Sequence, residues 1–392
     1  MKTMKPYANL WVVFVFLSFY SAGQQDSWNN AEIISPAINP DNSVTLRVRA
    51  PEAKEVRVAG DWLPPEGWTP GSTAMTKGAD GVWSYTSGTL PSELYSYSFL
   101  VDGLRCLDPN NVYMIRDVAT VTNVFIIGGG QADLYKVNDV PHGMVARRWY
   151  ESPSLEMKRR MTIYTPPGYE GSNLNYPVLY LLHGMGGDEE AWMTLGRASQ
   201  ILDNLIASGK AVPMIVVMPN GNVSQEAAPG ESDNGFYKPT FSMPHTGDGK
   251  MEETFMDVVY FVENNYRVIN AKDSRAIAGL SMGGYHSLHI SRYYPDTFDY
   301  IGLFSPAINP KDVKSSIVYA DIDSTLKKQK ENSYRLYWIA IGKTDFLYQQ
   351  VTDFRDRLDT MAMPYQYRES EGGHTWANWR IYLSEFVPML FK

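Results

Sequence analysis

The chain has 392 residues, 44% of them apolar and 20% charged, with a net charge of −8. The length suits two domains of roughly 100–200 residues each, and the balance excludes a disordered or low-complexity chain. An acidic surface argues against nucleic acid or an anionic membrane as partner. The single cysteine, Cys106, excludes an intrachain disulfide and a thiolate metal cluster.

In chain order, the first expected element is a secretory signal over residues 1–23. Lys2 and Lys5 precede an apolar run at 10–19, and Ser21-Ala22-Gly23 supplies small residues for cleavage. The run is shorter than the roughly 20 residues that span a bilayer, so the mature chain is expected to be secreted or periplasmic without membrane insertion. Residues 24–130 alternate apolar and polar side chains, as in Val44-Thr45-Leu46-Arg47-Val48-Arg49 and Leu94-Tyr95-Ser96-Tyr97-Ser98-Phe99. Turn residues such as Asp80-Gly81 and Asp102-Gly103 separate these runs, which predicts an antiparallel β-sandwich. A polar linker is expected over 131–139.

From 140 to 392 the rhythm becomes that of an α/β domain. Apolar strands are expected at 177–182, 213–218, 274–280, 300–304 and 336–341, with a further strand at 365–368. Helical patterns fall at 189–208, 252–266, 283–293, 312–329 and 347–361, and a closing helix at 376–391. Continuous apolar strands separated by helices predict a parallel sheet covered on both faces.

The sharpest local signal is Gly279-Leu280-Ser281-Met282-Gly283, a G-x-S-x-G pattern between an expected strand and an expected helix. That context is a nucleophile elbow of the α/β-hydrolase fold, which turns a serine hydroxyl outward. A serine needs an adjacent base, and in this fold an acid and then a histidine follow it in the chain. Of six histidines only His374 lies well beyond Ser281; His286 and His289 fall on the helix after the serine. Asp345, in the loop leaving the 336–341 strand, is the expected acid, with Glu369 and Glu371 as rivals. The oxyanion hole needs two backbone donors. Met282 supplies one, and the His183-Gly184-Met185-Gly186-Gly187 loop supplies the other through Met185, or through Gly184 as the near alternative. No metal or cofactor is expected, because acyl transfer by such a triad needs none.

Tyr164-Thr165-Pro166-Pro167-Gly168-Tyr169, the His183-Gly184 loop, Ala276-Ile277-Ala278-Gly279-Leu280-Ser281-Met282-Gly283-Gly284 and Gly372-Gly373-His374-Thr375-Trp376 together resemble carbohydrate esterase family 1. That group includes feruloyl esterases, acetyl xylan esterases and relatives of enterochelin esterase. The resemblance implies catalytic roles for Ser281 and His374, and Gly342-Lys343-Thr344-Asp345 matches the turn that carries the acid. Gly60-Asp61-Trp62, Gly81-Val82-Trp83 and Val101-Asp102-Gly103 resemble a family 48 carbohydrate-binding module of immunoglobulin-like fold. For Trp62, Trp68 and Trp83, sugar contact and core packing both stay open, and docking onto the hydrolase domain is an equal role for the module.

The polar stretch 221–249 embeds Phe236, Tyr237 and Phe241. Loops of that length usually carry function, and this one is expected to wall the substrate pocket together with Trp192 and Trp376. The expected partner is a plant cell-wall polysaccharide or feruloylated oligosaccharide, and the expected activity is feruloyl ester hydrolysis. An acetyl xylan esterase, a siderophore esterase and a non-catalytic sugar-binding protein on an esterase scaffold are the alternatives.

Overall fold

The computed structural model describes residues 33–392, except Glu66, Trp68, Thr69, Phe236, Tyr237, 311–313 and Ser315. The expected signal at 1–23 lies outside the described residues, as do Trp68 and the two loop aromatics Phe236 and Tyr237.

The N-terminal part is wholly antiparallel. Val44–Arg49 and Val82–Thr86 form the centre of one sheet, and Val56–Gly60, Glu93–Val101 and Thr120–Ile127 the centre of the other. Inward-facing Val44, Leu46, Val58, Phe99 and Phe125 meet between them. The apolar residues of the alternating runs face inward, as a two-layer sandwich requires.

The second part is built on eight strands, numbered here within that sheet: β1 Met144–Ser152, β2 Met157–Thr165, β3 Val178–Leu182, β4 Ile215–Pro219, β5 Arg275–Leu280, β6 Tyr300–Phe304, β7 Leu336–Gly342 and β8 Gln366–Ser370. Their spatial order is β1-β2-β4-β3-β5-β6-β7-β8. The pairs β1·β2 and β2·β4 are antiparallel, and the rest are parallel. Every residue of β3, β4, β6 and β7 is buried. That explains why those strands read as unbroken apolar runs: helices cover both faces. The order and the α/β layering are those of the expected α/β-hydrolase fold.

Three elements differ from the sequence expectation. The antiparallel pair β1·β2 is absent from it, because Arg147, Arg148, Arg159 and Arg160 interrupt the apolar pattern. Arg159 and Arg160 are nonetheless buried, each satisfied by several acceptors. The expected helix at 189–208 is two helices, Ala191–Thr194 and Ala198–Ala207. The break is at Arg197, which takes φ +55° and donates through Nε to Tyr135 O at 2.9 Å. Finally, the expected helix at 312–329 begins only at Ile322 and runs to Glu331.

The expected polar linker is a packed segment. Gln131–Tyr135 forms a short 3₁₀ turn in which Ala132 and Tyr135 are fully buried. Tyr135, Leu94 and Val124 join the apolar layer on one face of the second sheet. Arg380 crosses the same boundary, donating to Glu93, Leu94 O and Leu195 O. Among the described residues no helix is long and apolar enough to cross a membrane.

Candidate active site

Ser281 closes β5 and opens the helix Met282–Tyr293. The reversal is tight: a β-carbon on Gly279 would lie 2.5 Å from the Gly283 carbonyl, and one on Gly283 would lie 2.3 Å from Leu182 O. Only glycine fits at these two positions. Ser281 itself sits at φ +54°, ψ −114°, a conformation costing about 1–3 kcal/mol in a non-glycine residue. Its backbone is held there by Ser281 N donating to Phe304 O at 2.9 Å, and by Tyr285 N and Ala307 N donating to Ser281 O.

Asp345 follows β7 and His374 follows β8, two strands that pair directly. Ser281, Asp345 and His374 thus lie in loops at the carboxyl edge of one parallel sheet, where crevices form in such folds. His374 Nδ1 is 2.9 Å from Asp345 Oδ2 and 3.1 Å from Oδ1. The carboxylate is buried and also accepts from Leu347 N at 2.9 Å. A buried acid on Nδ1 fixes the tautomer that leaves Nε2 as a base. The ring is wedged between Phe346 and Trp379, at centroid distances of 4.5 and 4.9 Å. The rivals are engaged elsewhere: Glu369 accepts from Tyr348 and Tyr367, and Glu371 pairs with Lys343 at the surface.

The candidate oxyanion loop follows β3, which pairs with β5. A β-carbon on Gly184 would stand 3.4 Å from Ser281 Cβ, so the loop lies against the serine. Gly187 N donates to Gly184 O at 3.1 Å, closing a turn with Gly186 at φ +76°. His183 then locks it. Nδ1 donates to Gly184 O at 2.8 Å while Nε2 accepts from Gly221 N at 2.7 Å. Burial pushes the His183 pKa down, which keeps the ring neutral, as the acceptor role of Nε2 demands. Met282 N is the first amide of its helix, at the positive end of the macrodipole. Among the described residues no group of three His, Cys, Asp or Glu is placed to hold a metal ion.

A strained serine between strand and helix, a carboxylate-bound histidine and a glycine loop on one sheet edge form a hydrolase constellation. The Esterase family model matches residues 152–390, well over half of the chain. This chain belongs to the Esterase family. The esterase is 31% identical over 371 residues to the endo-1,4-beta-xylanase/feruloyl esterase of Xylanibacter ruminicola, covering 91% of this chain and 46% of that protein. It therefore spans less than half the length of that relative. A solved ferulic acid esterase is 27% identical with a TM-score of 0.52, covering 63% of this chain and 97% of its own. The enterobactin esterase of Shigella flexneri, at 15% identity, shares the fold over 88% of this chain and 92% of its own, with a TM-score of 0.61.

The esterase departs from the sequence expectation at Trp192. Trp192 is fully buried, with Nε1 donating to Leu182 O at 2.9 Å, so it cannot touch a substrate. Its ring supports Trp376 edge-on at 5.3 Å, and Trp376 is half-buried directly after the His374 loop. Phe346, not singled out from sequence, is 58% exposed against the His374 ring. In the N-terminal part, Trp83 is buried and donates to Ala50 O. Trp62 packs edge-on against Tyr95 and Phe125. Trp83 belongs to the sandwich core, and Trp62, partly buried, packs against it. Of the stretch 221–249, Pro239, Thr240 and Met243 line a small cleft with Gly186, Gly187 and Asp188, beside the turn after β3. His286 and His289 are buried on the serine helix, paired with Glu252 and Arg292.

Proposed function

We propose that this chain is an exported serine carboxylesterase that removes feruloyl groups from arabinoxylan through an acyl-enzyme on Ser281. The observation that carries the reaction type is the pairing of His374 with buried Asp345 on the same strand edge as the strained Ser281. The acyl group is supported by the relationship to a xylanase/feruloyl esterase and by exposed Phe346 and half-buried Trp376, which offer aromatic faces beside the histidine.

In this reading His374 Nε2 takes the Ser281 proton as Oγ attacks the ester carbonyl. The oxyanion is held by Met282 N–H and Met185 N–H. Collapse breaks the carbonyl–oxygen bond, and His374 returns the proton to the departing sugar hydroxyl. Water, deprotonated by His374, then attacks the acyl-enzyme, releasing ferulate and restoring the serine. Each donor in the oxyanion hole is worth about 3–4 kcal/mol of barrier.

The test compares rates on methyl ferulate, 4-nitrophenyl acetate and a feruloylated arabinoxylan oligosaccharide. The feruloyl esters are expected to have the highest kcat/KM. Strong hydrolysis of acetylated xylan with none of methyl ferulate would instead identify an acetyl xylan esterase. Ser281→Ala and His374→Ala should each lower kcat about 10³-fold or more, with the double variant little worse than either. A Ser281→Ala variant retaining wild-type rates would remove the serine mechanism.

A further inference from the structure

The oxyanion loop is also gripped from the N-terminal part. Strands Met114–Asp117 and Thr120–Ile127 pair with Asp117 opposite Thr120, so Val118 and Ala119 form a two-residue hairpin turn. A two-residue turn with positive φ at its first central position favours glycine there. Val118 instead adopts φ +49°, which a β-branched side chain disfavours. A valine held in that state points to something outside the hairpin that needs its side chain there.

That something is the turn beside Ser281. A β-carbon on Gly186 would lie 2.7 Å from Val118 Cγ2, so the isopropyl group sits directly on the Gly186 backbone. Arg116 donates to Val118 O at 2.8 Å with one nitrogen and pairs with Asp188 with another. Asp188 is only 3% exposed, and its other oxygen accepts from Glu190 N at 3.1 Å. Asp188 directly follows Gly187, whose amide closes the turn on Gly184 O. The turn that carries Met185 is therefore held from two sides, at Gly184 O by His183 from the hydrolase part and at Gly186 and Asp188 by the hairpin from the sandwich.

We infer that Arg116 and Val118 are positioning residues that hold Met185 N–H in register with Ser281, so that turnover depends on the N-terminal part even for substrates that carry no sugar. The inference rests on the proposed serine mechanism. Displacing a donor in this loop by a fraction of an ångström weakens only interactions formed at the oxyanion, and misplacement of about 1 Å can cost 10²-fold in rate.

The test uses the full chain and 4-nitrophenyl acetate, an ester with no glycan. Arg116→Ala and Val118→Gly should lower kcat about 10-fold or more while KM stays within about 2-fold. The inhibition constant for phenylboronic acid, whose serine adduct places an oxygen in the same hole, should rise by a similar factor. Arg116→Lys should recover part of the loss. Val118→Gly relieves the strained φ, so it keeps the experiment decisive if loss of the Asp188 partner impairs folding. Unchanged kcat in both variants would overturn the inference, as would a rise in KM at constant kcat. A wild-type chain that hydrolyses no ester would instead remove the serine mechanism, and the inference with it.

Discussion

The two sides of the site are held by different means. Asp345 and His374 are neighbours on paired strands, and their loops bond to each other, with Thr344 N donating to Gly372 O at 3.0 Å. The oxyanion side hangs on one turn after β3 that is braced by His183, by Asn222 Nδ2 donating to Gly187 O, and by Arg116 from another sheet. The proposed base and its acid thus come from a self-contained piece of the hydrolase sheet. The turn proposed to carry the oxyanion donor is braced from afar, by Arg116 on Asp188, 72 positions further along the chain. Catalytic chemistry and transition-state support can therefore be perturbed separately.

The largest expected effect breaks the self-contained side. Asp345→Asn keeps the shape but offers Nδ1 the wrong hydrogen-bond partner, and kcat should fall about 10³–10⁴-fold with the fold intact. Glu369→Gln, on an acid committed to two tyrosines, should leave kcat within about 2-fold. Steady-state kinetics of the pair decides which carboxylate acts.

A smaller effect tests the join between the two parts. Arg380→Ala removes the partner of partly buried Glu93 and two carbonyl contacts at once. Burial already pushes the Glu93 carboxyl up, against the opposing pull of Arg380. The loss should be about 3 kcal/mol in urea unfolding, and a loss below about 1 kcal/mol would mean that the join contributes little.

The smallest effect concerns pH. Burial lowers the pKa of His183 and lowers that of His289 well below its ordinary value. A depressed folded pKa gives stability that is complete above the unfolded value, about 6.5, and is lost as pH falls towards the folded value. Each such histidine adds a slope of up to about 1.4 kcal/mol per pH unit in that window. The raised carboxyls of Glu93 and Glu189 act in the opposite sense, so a difference is measured. His289→Gln should flatten the stability–pH curve between pH 6.5 and 5 relative to wild type, and parallel curves would show that His289 charges freely in the fold.

The self-contained side was also the legible one. Ser281 and Asp345 follow apolar strands, and His374 follows the strand paired with the second of these, in the chain order expected of the proposed triad. The braces were not legible, because they are contacts between segments with no common period. Arg116, Val118 and Arg160 lie in no motif of the sequence that would single them out. Trp192 shows the opposite failure. An aromatic near a glycine loop reads as a ligand platform, but its indole N–H found a backbone carbonyl and the ring went inside. His183 was visible as part of a motif, while the state of its ring became apparent only from the two partners that hold it.

The buried Tyr135 has a consequence for how a long polysaccharide would be met. A binding module on a flexible tether raises the local concentration of its ligand over a sphere set by tether length. Here the segment that would be the tether is packed into the hydrolase sheet. Any contribution of the sandwich to capture is thus fixed in direction and distance, and a chain lying on it would approach Ser281 at one angle rather than at many.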